Sequence, residues 1–159
     1  MIKRESYKSM VAQVASQVKE LFPWDIIEQQ KQGKEFLFLD VRCPSEFQVM
    51  HIEGSLDVPR GILEVASDYG YEETEAELVA ARDKHIVVIC RSGNRSILAA
   101  YTMQLMAYEH VYSLKTGLRG WNDYELPLVF SNGNQVPVET ADSYFETVLS
   151  SEQLEPTNN

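Results

Sequence analysis

Cysteine and histidine are both scarce in this sequence of 159 residues. Its two cysteines, Cys43 and Cys90, are too few for a disulfide framework, and alone they cannot complete a zinc site. The three histidines are scattered along the chain, and no two of them fall four residues apart around a glutamate. We therefore expect no structural metal.

Basic residues are also in short supply. The chain has 14 lysines and arginines against 24 aspartates and glutamates, which leaves a formal net charge of −10. Phosphate backbones and anionic lipid would repel such a chain, so we expect no nucleic-acid partner and no membrane-surface role. An anionic substrate would have to be bound by a local basic pocket rather than by long-range attraction.

Long apolar runs are absent as well. No stretch approaches the ~18 consecutive apolar residues of a transmembrane helix, and the N-terminus lacks the apolar core of a signal peptide. We therefore expect a protein of the reducing cytoplasm, where a lone thiol stays free. The length and the hydrophobic share of 44% suit a single globular domain with appended arms.

What the chain does contain is an alternation of short apolar runs with helical patterns. Alternating strands and helices imply βαβ units and a mostly parallel sheet, hence an α/β fold. Strands are predicted at residues 36–41, 85–90 and 111–114, with a weaker candidate at 55–58. Helices are predicted at residues 5–21, 23–33, 97–108 and 141–149, with a helix-favouring acidic connector at 72–84.

The clearest chemical signal is the polar loop that follows the strand at residues 85–90. Cys90 ends this strand and precedes a helix whose first N–H groups lack intrahelical partners, so its thiolate would be stabilised there. Gly93 allows a positive φ that turns successive N–H groups inward. Arg91 and Arg95 would add fork-shaped donors for an oxyanion. We therefore predict a nucleophilic cysteine, although a lone cysteine at a strand end is more commonly a core residue.

This loop, Cys90-Arg91-Ser92-Gly93-Asn94-Arg95-Ser96, resembles the active-site loop of the rhodanese-like sulfurtransferases. The resemblance covers roughly residues 22–130. Its other blocks are Leu39-Asp40-Val41-Arg42 with Glu46-Phe47, residues 51–59, residues 114–121 and Leu126-Pro127-Leu128. The extent of the resemblance divides the chain into three parts. These are an N-terminal helical extension at 1–21, a rhodanese-like domain at 22–130 and a C-terminal extension at 131–159 that frays at its end.

The resemblance implies a central parallel sheet flanked by helices and a double-displacement reaction. Cys90 would take a sulfane sulfur from thiosulfate or a persulfide donor and pass it to a thiophilic acceptor, a small molecule or a protein. No metal or organic cofactor is required. The residues expected to bind the substrate are Arg91, Ser92, Gly93, Asn94, Arg95 and Ser96.

Several alternatives stay open at this point. A persulfide carrier without significant thiosulfate turnover would retain the same loop, whereas inactive interaction modules of the family typically lose the cysteine. A homodimer built through the two extensions is also open. A related phosphatase loop places its arginine six residues after the cysteine, whereas Arg95 follows Cys90 by five, so the shorter ring suits sulfur better than phosphate.

Four residues at and just after the end of the first predicted strand complete the expected site. Asp40 and Arg42 lie where parallel sheets place their ligand sites, and we interpret them as an ion pair that supports the loops, with Glu46 in the same network. Cys43 stands where the family commonly has a glutamate. It is either an accidental small residue or a disulfide partner of Cys90, which would require Cα atoms within ~7 Å.

Overall fold

The structure is a computed structural model that describes residues 3–157. Its five strands form one sheet, in which every neighbouring pair is parallel and the order is β1-β5-β4-β2-β3. The strands are β1 (Lys19–Leu21), β2 (Leu37–Asp40), β3 (Leu56–Asp57), β4 (His85–Ile89) and β5 (His110–Leu114). The predicted α/β fold with a central parallel sheet is confirmed.

Helices cover both faces of this sheet. The α-helices are α1 (Tyr7–Ala15), α2 (Pro23–Lys31), α3 (Pro44–Val49), α4 (Leu63–Ala66), α5 (Ala76–Val79), α6 (Arg95–Leu105), α7 (Gly117–Asp123) and α8 (Val138–Phe145). Short 3₁₀ turns lie at Arg60–Ile62 and Ser151–Gln153. Within residues 3–157, none of the helices combines the length and the apolar character that a membrane span needs.

Strand β4 forms the centre of the core because its side chains alternate between two apolar layers. Ile86 and Val88 pack with α1 and α6 on one face, while Val87 and Ile89 pack with α2, α7 and α8 on the other. A strand covered on both faces reads as a continuous apolar run, which is why the sequence identifies it clearly. Its carboxyl end delivers Cys90 to the edge where α/β sheets bind their ligands.

The N-terminal segment differs from its prediction. The helix expected over residues 5–21 ends at Ala15, and Lys19–Leu21 forms the edge strand β1 instead. This strand pairs in parallel with β5, and the Lys115 amide also donates to the Leu21 carbonyl at 2.9 Å. These hydrogen bonds come from a strand about ninety residues away. A local sequence pattern therefore does not predict that Lys19–Leu21 is a strand.

Two other predicted helices have different bounds. Only Ala76–Val79 is α-helical in the acidic connector, and the C-terminal helix α8 begins after Pro137 and ends at Phe145 rather than near residue 149. The first two residues of the predicted extension 1–21 and the last two of 131–159 lie outside the described residues. The domain division itself stays a prediction.

Asp40 and Arg42 form the expected ion pair at the end of β2, and both are fully buried. The Arg42 Nε lies 3.0 and 3.1 Å from the two Asp40 carboxylate oxygens, and its Nη2 lies 2.9 Å from Oδ2. The same Nη2 donates to the Met50 carbonyl at 2.7 Å. The pair therefore ties the end of β2 to the segment that leaves α3.

Removing one partner of this buried pair is expected to be costly. Arg42→Met leaves the Asp40 charge without compensation, so the free energy of unfolding should fall by about 3–5 kcal/mol, measured by urea denaturation. Arg60→Met is the matched control because it breaks the more exposed Arg60–Glu64 pair, which is worth at most about 1 kcal/mol. Equal losses in the two variants would contradict this assignment.

Candidate active site

The side chain of Cys90 lies at the base of the turn between β4 and α6, where it is 1% exposed. Two backbone amides donate to its sulfur: Gly93 N lies 3.1 Å from Sγ and Ser96 N lies 3.3 Å from it. Both donors belong to the turn that opens α6, so the partial positive charge of the helix N-terminus adds to theirs. The turn is therefore built to hold negative charge on sulfur.

The carbonyl groups of the same turn point away from the sulfur, toward helix α7. Leu118 N donates to the Cys90 carbonyl at 2.9 Å, and Arg119 N donates to the Arg91 carbonyl at 3.1 Å. The unpaired amides at the start of α7 thus satisfy the acceptors of the loop. Because the loop carbonyls are hydrogen-bonded on the side that faces α7, the loop amides are directed to the opposite side, toward the sulfur.

Close packing against the β5–α7 turn requires a glycine in the loop. Gly93 has a φ of +89°, and a Cβ at this position would lie 2.9 Å from Thr116 N and 3.1 Å from the Leu114 carbonyl oxygen. Both neighbours are backbone atoms that cannot rotate away. Gly93 is thus required by its backbone conformation and by the space around it.

A short chain of hydroxyls continues from the sulfur into the core. The Cys90 thiol donates to Ser96 Oγ at 3.3 Å, and Ser96 Oγ lies 2.7 Å from Ser113 Oγ. Ser96 was predicted as part of the loop, but Ser113 was not. The sequence nevertheless contains a signal for Ser113, because it is a lone serine in an otherwise apolar strand. A buried polar group of this kind needs a hydrogen-bond partner.

Arg95 does not point freely into the pocket, because Glu46 holds it with two parallel hydrogen bonds of 2.9 and 3.0 Å. These bonds raise the pKa of Arg95 above its already high value. Burial favours the neutral form of Glu46, but the bonds and charge of Arg95 outweigh burial and hold the pKa of Glu46 below its usual value. Glu46 therefore supports the Cys90 loop rather than joining the Asp40–Arg42 pair as expected.

Arg91 forms hydrogen bonds with the C-terminal segment. Its Nη2 donates to the Phe145 carbonyl at 2.6 Å and to Thr147 Oγ1 at 3.3 Å. The sequence analysis expects both arginines to bind the sulfur donor, whereas the structure gives each of them a partner within the protein. Their contact with a donor stays a prediction.

A cavity of about 470 Å³ opens beside the sulfur. It is lined by Tyr7, Cys90, Arg91, Ser92, Asn94 and Arg95. Five of these residues were predicted from the loop, and Tyr7 of α1 was missed because only the fold brings it there. Burial and then the charge of Cys90 raise the pKa of the Tyr7 phenol, against a smaller opposing effect of Arg95, so this side chain is sensitive to the charge on the sulfur.

A larger cavity, of about 740 Å³, lies elsewhere, at the amino ends of β2 and β4 near Lys34 and His85. Parallel sheets bind their ligands at the opposite, carboxyl ends of the strands. The smaller cavity, which is lined by Cys90 and by residues of its loop, is therefore the candidate active site.

The surroundings of two further residues, Cys43 and Trp121, suit a structural role. Cys43 is exposed at the start of α3, and both cysteines are free thiols. Trp121 is buried and donates from Nε1 to the Pro127 carbonyl at 3.0 Å, in keeping with a packing role. Among residues 3–157, no group of three or more histidine, cysteine, aspartate or glutamate side chains is placed to hold a metal ion.

A family model described as the rhodanese-like domain matches residues 24–124. An adenylyltransferase and sulfurtransferase of Drosophila virilis is 34% identical over 91 residues, which cover 57% of this chain and 20% of that protein. A candidate sulfur carrier protein of Bacillus subtilis is 34% identical over 83 residues, which cover 52% and 40% respectively. This chain thus spans less than half the length of these two relatives.

Two further similarities cover most of the other protein. A sulfurtransferase of Allochromatium vinosum is 31% identical over 101 residues, which cover 63% of this chain and 84% of that protein. A solved structure from Rhodopseudomonas palustris, of a protein of unknown function described as a candidate tyrosine phosphatase, has a TM-score of 0.70 at 29% identity. It covers 81% of this chain and 98% of that chain.

Gly93→Ala tests the packing of the loop against a matched glycine. Gly33 has nearly the same φ, +92° against +89°, but a Cβ there would meet nothing within 4 Å. Both substitutions impose the backbone strain, whereas only Gly93→Ala also pushes the loop away from the β5–α7 turn. We expect Gly93→Ala to abolish the reactivity of Cys90 and Gly33→Ala to preserve it, measured by alkylation and peptide mapping. Preserved reactivity in Gly93→Ala, as in Gly33→Ala, would show that the close contact with the β5–α7 turn is not required.

The lowered pKa of Glu46 predicts how the loop responds to acid. A carboxyl whose pKa falls on folding stabilises the protein above its unfolded value of about 4.3, and this contribution is lost as the pH falls through the folded pKa. The melting temperature of the wild type should therefore fall more steeply below about pH 4.3 than that of Glu46→Gln. Glu64→Gln, in the exposed Arg60 pair, should keep the wild-type slope. Parallel acid curves for wild type and Glu46→Gln would refute the prediction.

Proposed function

Since this chain belongs to the rhodanese-like domain family, we propose that it is a sulfurtransferase in which Cys90 carries the transferred sulfur as a persulfide. The observation that carries this proposal is the pair of amides, from Gly93 and Ser96, that donate to Cys90 Sγ at 3.1 and 3.3 Å. Donors fixed in place before the reaction stabilise developing charge without reorganisation. The reaction uses the cysteine alone and needs no metal or organic cofactor.

In the first half-reaction, the Cys90 thiolate attacks the outer sulfur of thiosulfate or of a persulfide donor. A bond forms between Cys90 Sγ and that sulfur, and the sulfur–sulfur bond of the donor breaks. The electron pair of the broken bond leaves with sulfite, or with the thiolate of a persulfide donor. The amides of the loop then face the negative terminal sulfur of the new persulfide.

In the second half-reaction, a thiophilic acceptor attacks the terminal sulfur, and the electron pair of the Cys90 sulfur–sulfur bond returns to Cys90 Sγ. The loop from Arg91 to Ser96 surrounds the transferred sulfur in both steps. Because Glu46 offsets the charge of Arg95 and the C-terminal segment holds Arg91, the amide groups contribute the larger share of the binding. The cytoplasm, with its reducing conditions, would keep both thiols free.

Two other functions are supported by particular observations. The similarity to the Bacillus candidate sulfur carrier supports a carrier that receives sulfur from a protein and shows little thiosulfate turnover. The similarity to the candidate tyrosine phosphatase supports phosphate hydrolysis, but the arginine five positions after Cys90 leaves a ring one residue shorter than a phosphatase loop. Fast transfer from thiosulfate to cyanide favours the enzyme, slow transfer by a fully loaded protein favours the carrier, and hydrolysis of p-nitrophenyl phosphate favours the phosphatase.

The persulfide itself can be observed by mass spectrometry. Treatment with thiosulfate should add the mass of one sulfur atom to the Cys90 peptide, because only this thiol lies among amide donors. Cys43→Ser should be loaded like the wild type, and Cys90→Ser should take up no sulfur. Loading of Cys90→Ser, or a sulfur on the Cys43 peptide alone, would disprove the assignment.

A further inference from the structure

The cavity of about 740 Å³ at the amino ends of β2 and β4 is separate from the site of sulfur transfer. His85 begins β4 and Cys90 follows it, so at the rise of a strand the two residues are about 16 Å apart. Cavities of roughly 300–1,000 Å³ are the size that holds small-molecule ligands. The lining of this one includes Lys34, Glu35, Phe36, Glu77, Lys84 and His85.

Two of the lining residues, Phe36 and His85, belong to a cluster of aromatic rings. Phe36 meets both His85 and Tyr112 edge to face, with ring centres 6.2 and 6.0 Å apart. His85 stacks on His110, its partner in the register of β4 and β5, at 4.5 Å. The Tyr112 hydroxyl lies 2.9 Å from His85 Nδ1 and holds the imidazole in place. The cluster therefore offers a fixed, flat surface to a ligand that has a ring of its own.

Cations gather around these rings, although the chain has few of them. Three of its seven lysines lie here, namely Lys19, Lys34 and Lys84, together with two of its three histidines. Lys34 Nζ lies 5.8 Å from the centre of the Phe36 ring, and Lys19 Nζ lies 5.5 Å from that of Tyr112. In the described part of the chain, none of these lysines pairs with a carboxylate.

Positive charge dominates at the His85 end of the cavity. Burial lowers the pKa of His85, and the charges of Lys34, His110 and Lys19 lower it further. The two glutamates of the lining are exposed, so water and salt screen their charges, whereas Lys34 is half-buried. A ligand with an anionic group beside His85 and Lys34 is therefore favoured, even in a chain with a net charge of −10.

We propose that this cavity binds a small anion that carries a flat ring. The ring lies against Phe36 and His85, and the anionic group, a phosphate or a carboxylate, lies between Lys34 and Lys84. Lys34 Nζ donates to the amide oxygen of Gln29 at 2.8 Å, and binding exchanges this neutral acceptor for a charged one, which makes a stronger hydrogen bond. The site is independent of sulfur transfer, which takes place at the other end of β4.

The three histidines allow the site to be observed by NMR. The full chain is titrated with adenosine monophosphate (AMP), which has a ring and a phosphate, and with indole-3-acetate, which has a ring and a carboxylate. The ring-proton resonances of His85 and His110 should shift, whereas those of His51, which follows α3, should not. The bound anion should also raise the pKa of His85, because it favours the protonated imidazole.

Matched ligands and variants separate the contribution of the ring from that of the charge. Adenosine lacks the phosphate and ribose 5-phosphate lacks the ring, so each should bind more weakly than AMP. Lys34→Gln should raise the Kd of AMP about two- to fivefold, the range of one charge pair near the surface. Lys31→Gln removes an exposed lysine outside the lining and should leave that Kd unchanged. Phe36→Leu should raise it at least about fivefold through the loss of stacking, whereas Phe36→Tyr keeps the ring.

Each outcome supports or overturns the proposal. A shift at His85 with either probe supports it, and the probe that binds more tightly identifies the anionic group. An equal shift at His51, or no shift at His85 with both probes, would overturn it. Equal affinities for AMP and ribose 5-phosphate, or an unchanged Kd in Lys34→Gln, would overturn it as well. Loading of Cys90 with sulfur is measured separately, so these results leave the proposed sulfurtransferase unaffected.

Discussion

The active site depends on one constraint, the close contact between two backbone turns. The turn after β4 must bring its amides to Cys90 Sγ, and it can do so only if its carbonyls are accepted elsewhere. At the start of α7, Leu118 N and Arg119 N donate hydrogen bonds to these carbonyls. The contact is so tight that a Cβ on Gly117 would lie 2.4 Å from the Arg91 carbonyl, which is why glycines face each other across it. The amides that donate to Cys90 Sγ are thus positioned by packing between main chains.

Charged side chains support this arrangement from the neighbouring strand. Fully buried Asp40 and Arg42 hold the end of β2. Glu46, six residues after β2 ends, holds Arg95 at the start of α6. The Asp40–Arg42 pair is more buried than the Glu46–Arg95 pair. The first pair therefore fixes the end of the strand, and the second positions the Cys90 loop beside it. Arg42 and Arg95 each have their own carboxylate, whereas Arg91 has only uncharged acceptors. The backbone amides that donate to the sulfur are therefore joined by one guanidinium whose charge no carboxylate offsets.

The features that the sequence predicts well are local ones. The apolar run of β4, the polar loop and the start of α6 follow one another without a break, and each is recognisable from its own residues. The partners of the loop are not local: Arg91 bonds a carbonyl 54 residues away, Ser96 meets Ser113 seventeen residues away, and Tyr7 reaches the pocket from the opposite end of the chain. Composition and periodicity carry no information on such distances, so the strand, loop and helix around Cys90 could be predicted from the sequence and the distant partners of the loop could not.

The hydrogen bond from Arg91 to the Phe145 carbonyl also bears on how the protein is made. A ribosome adds residues from the N-terminus onward, at roughly 5–20 per second, so the supports of the loop emerge in a fixed order. Ser113 and the β5–α7 turn leave the ribosome soon after Cys90, whereas the acceptor of Arg91 follows 54 residues later. The nascent chain therefore carries an unfinished active site for several seconds, with the Arg91 side chain still unanchored. The C-terminal segment is thus the last of these supports to reach the loop.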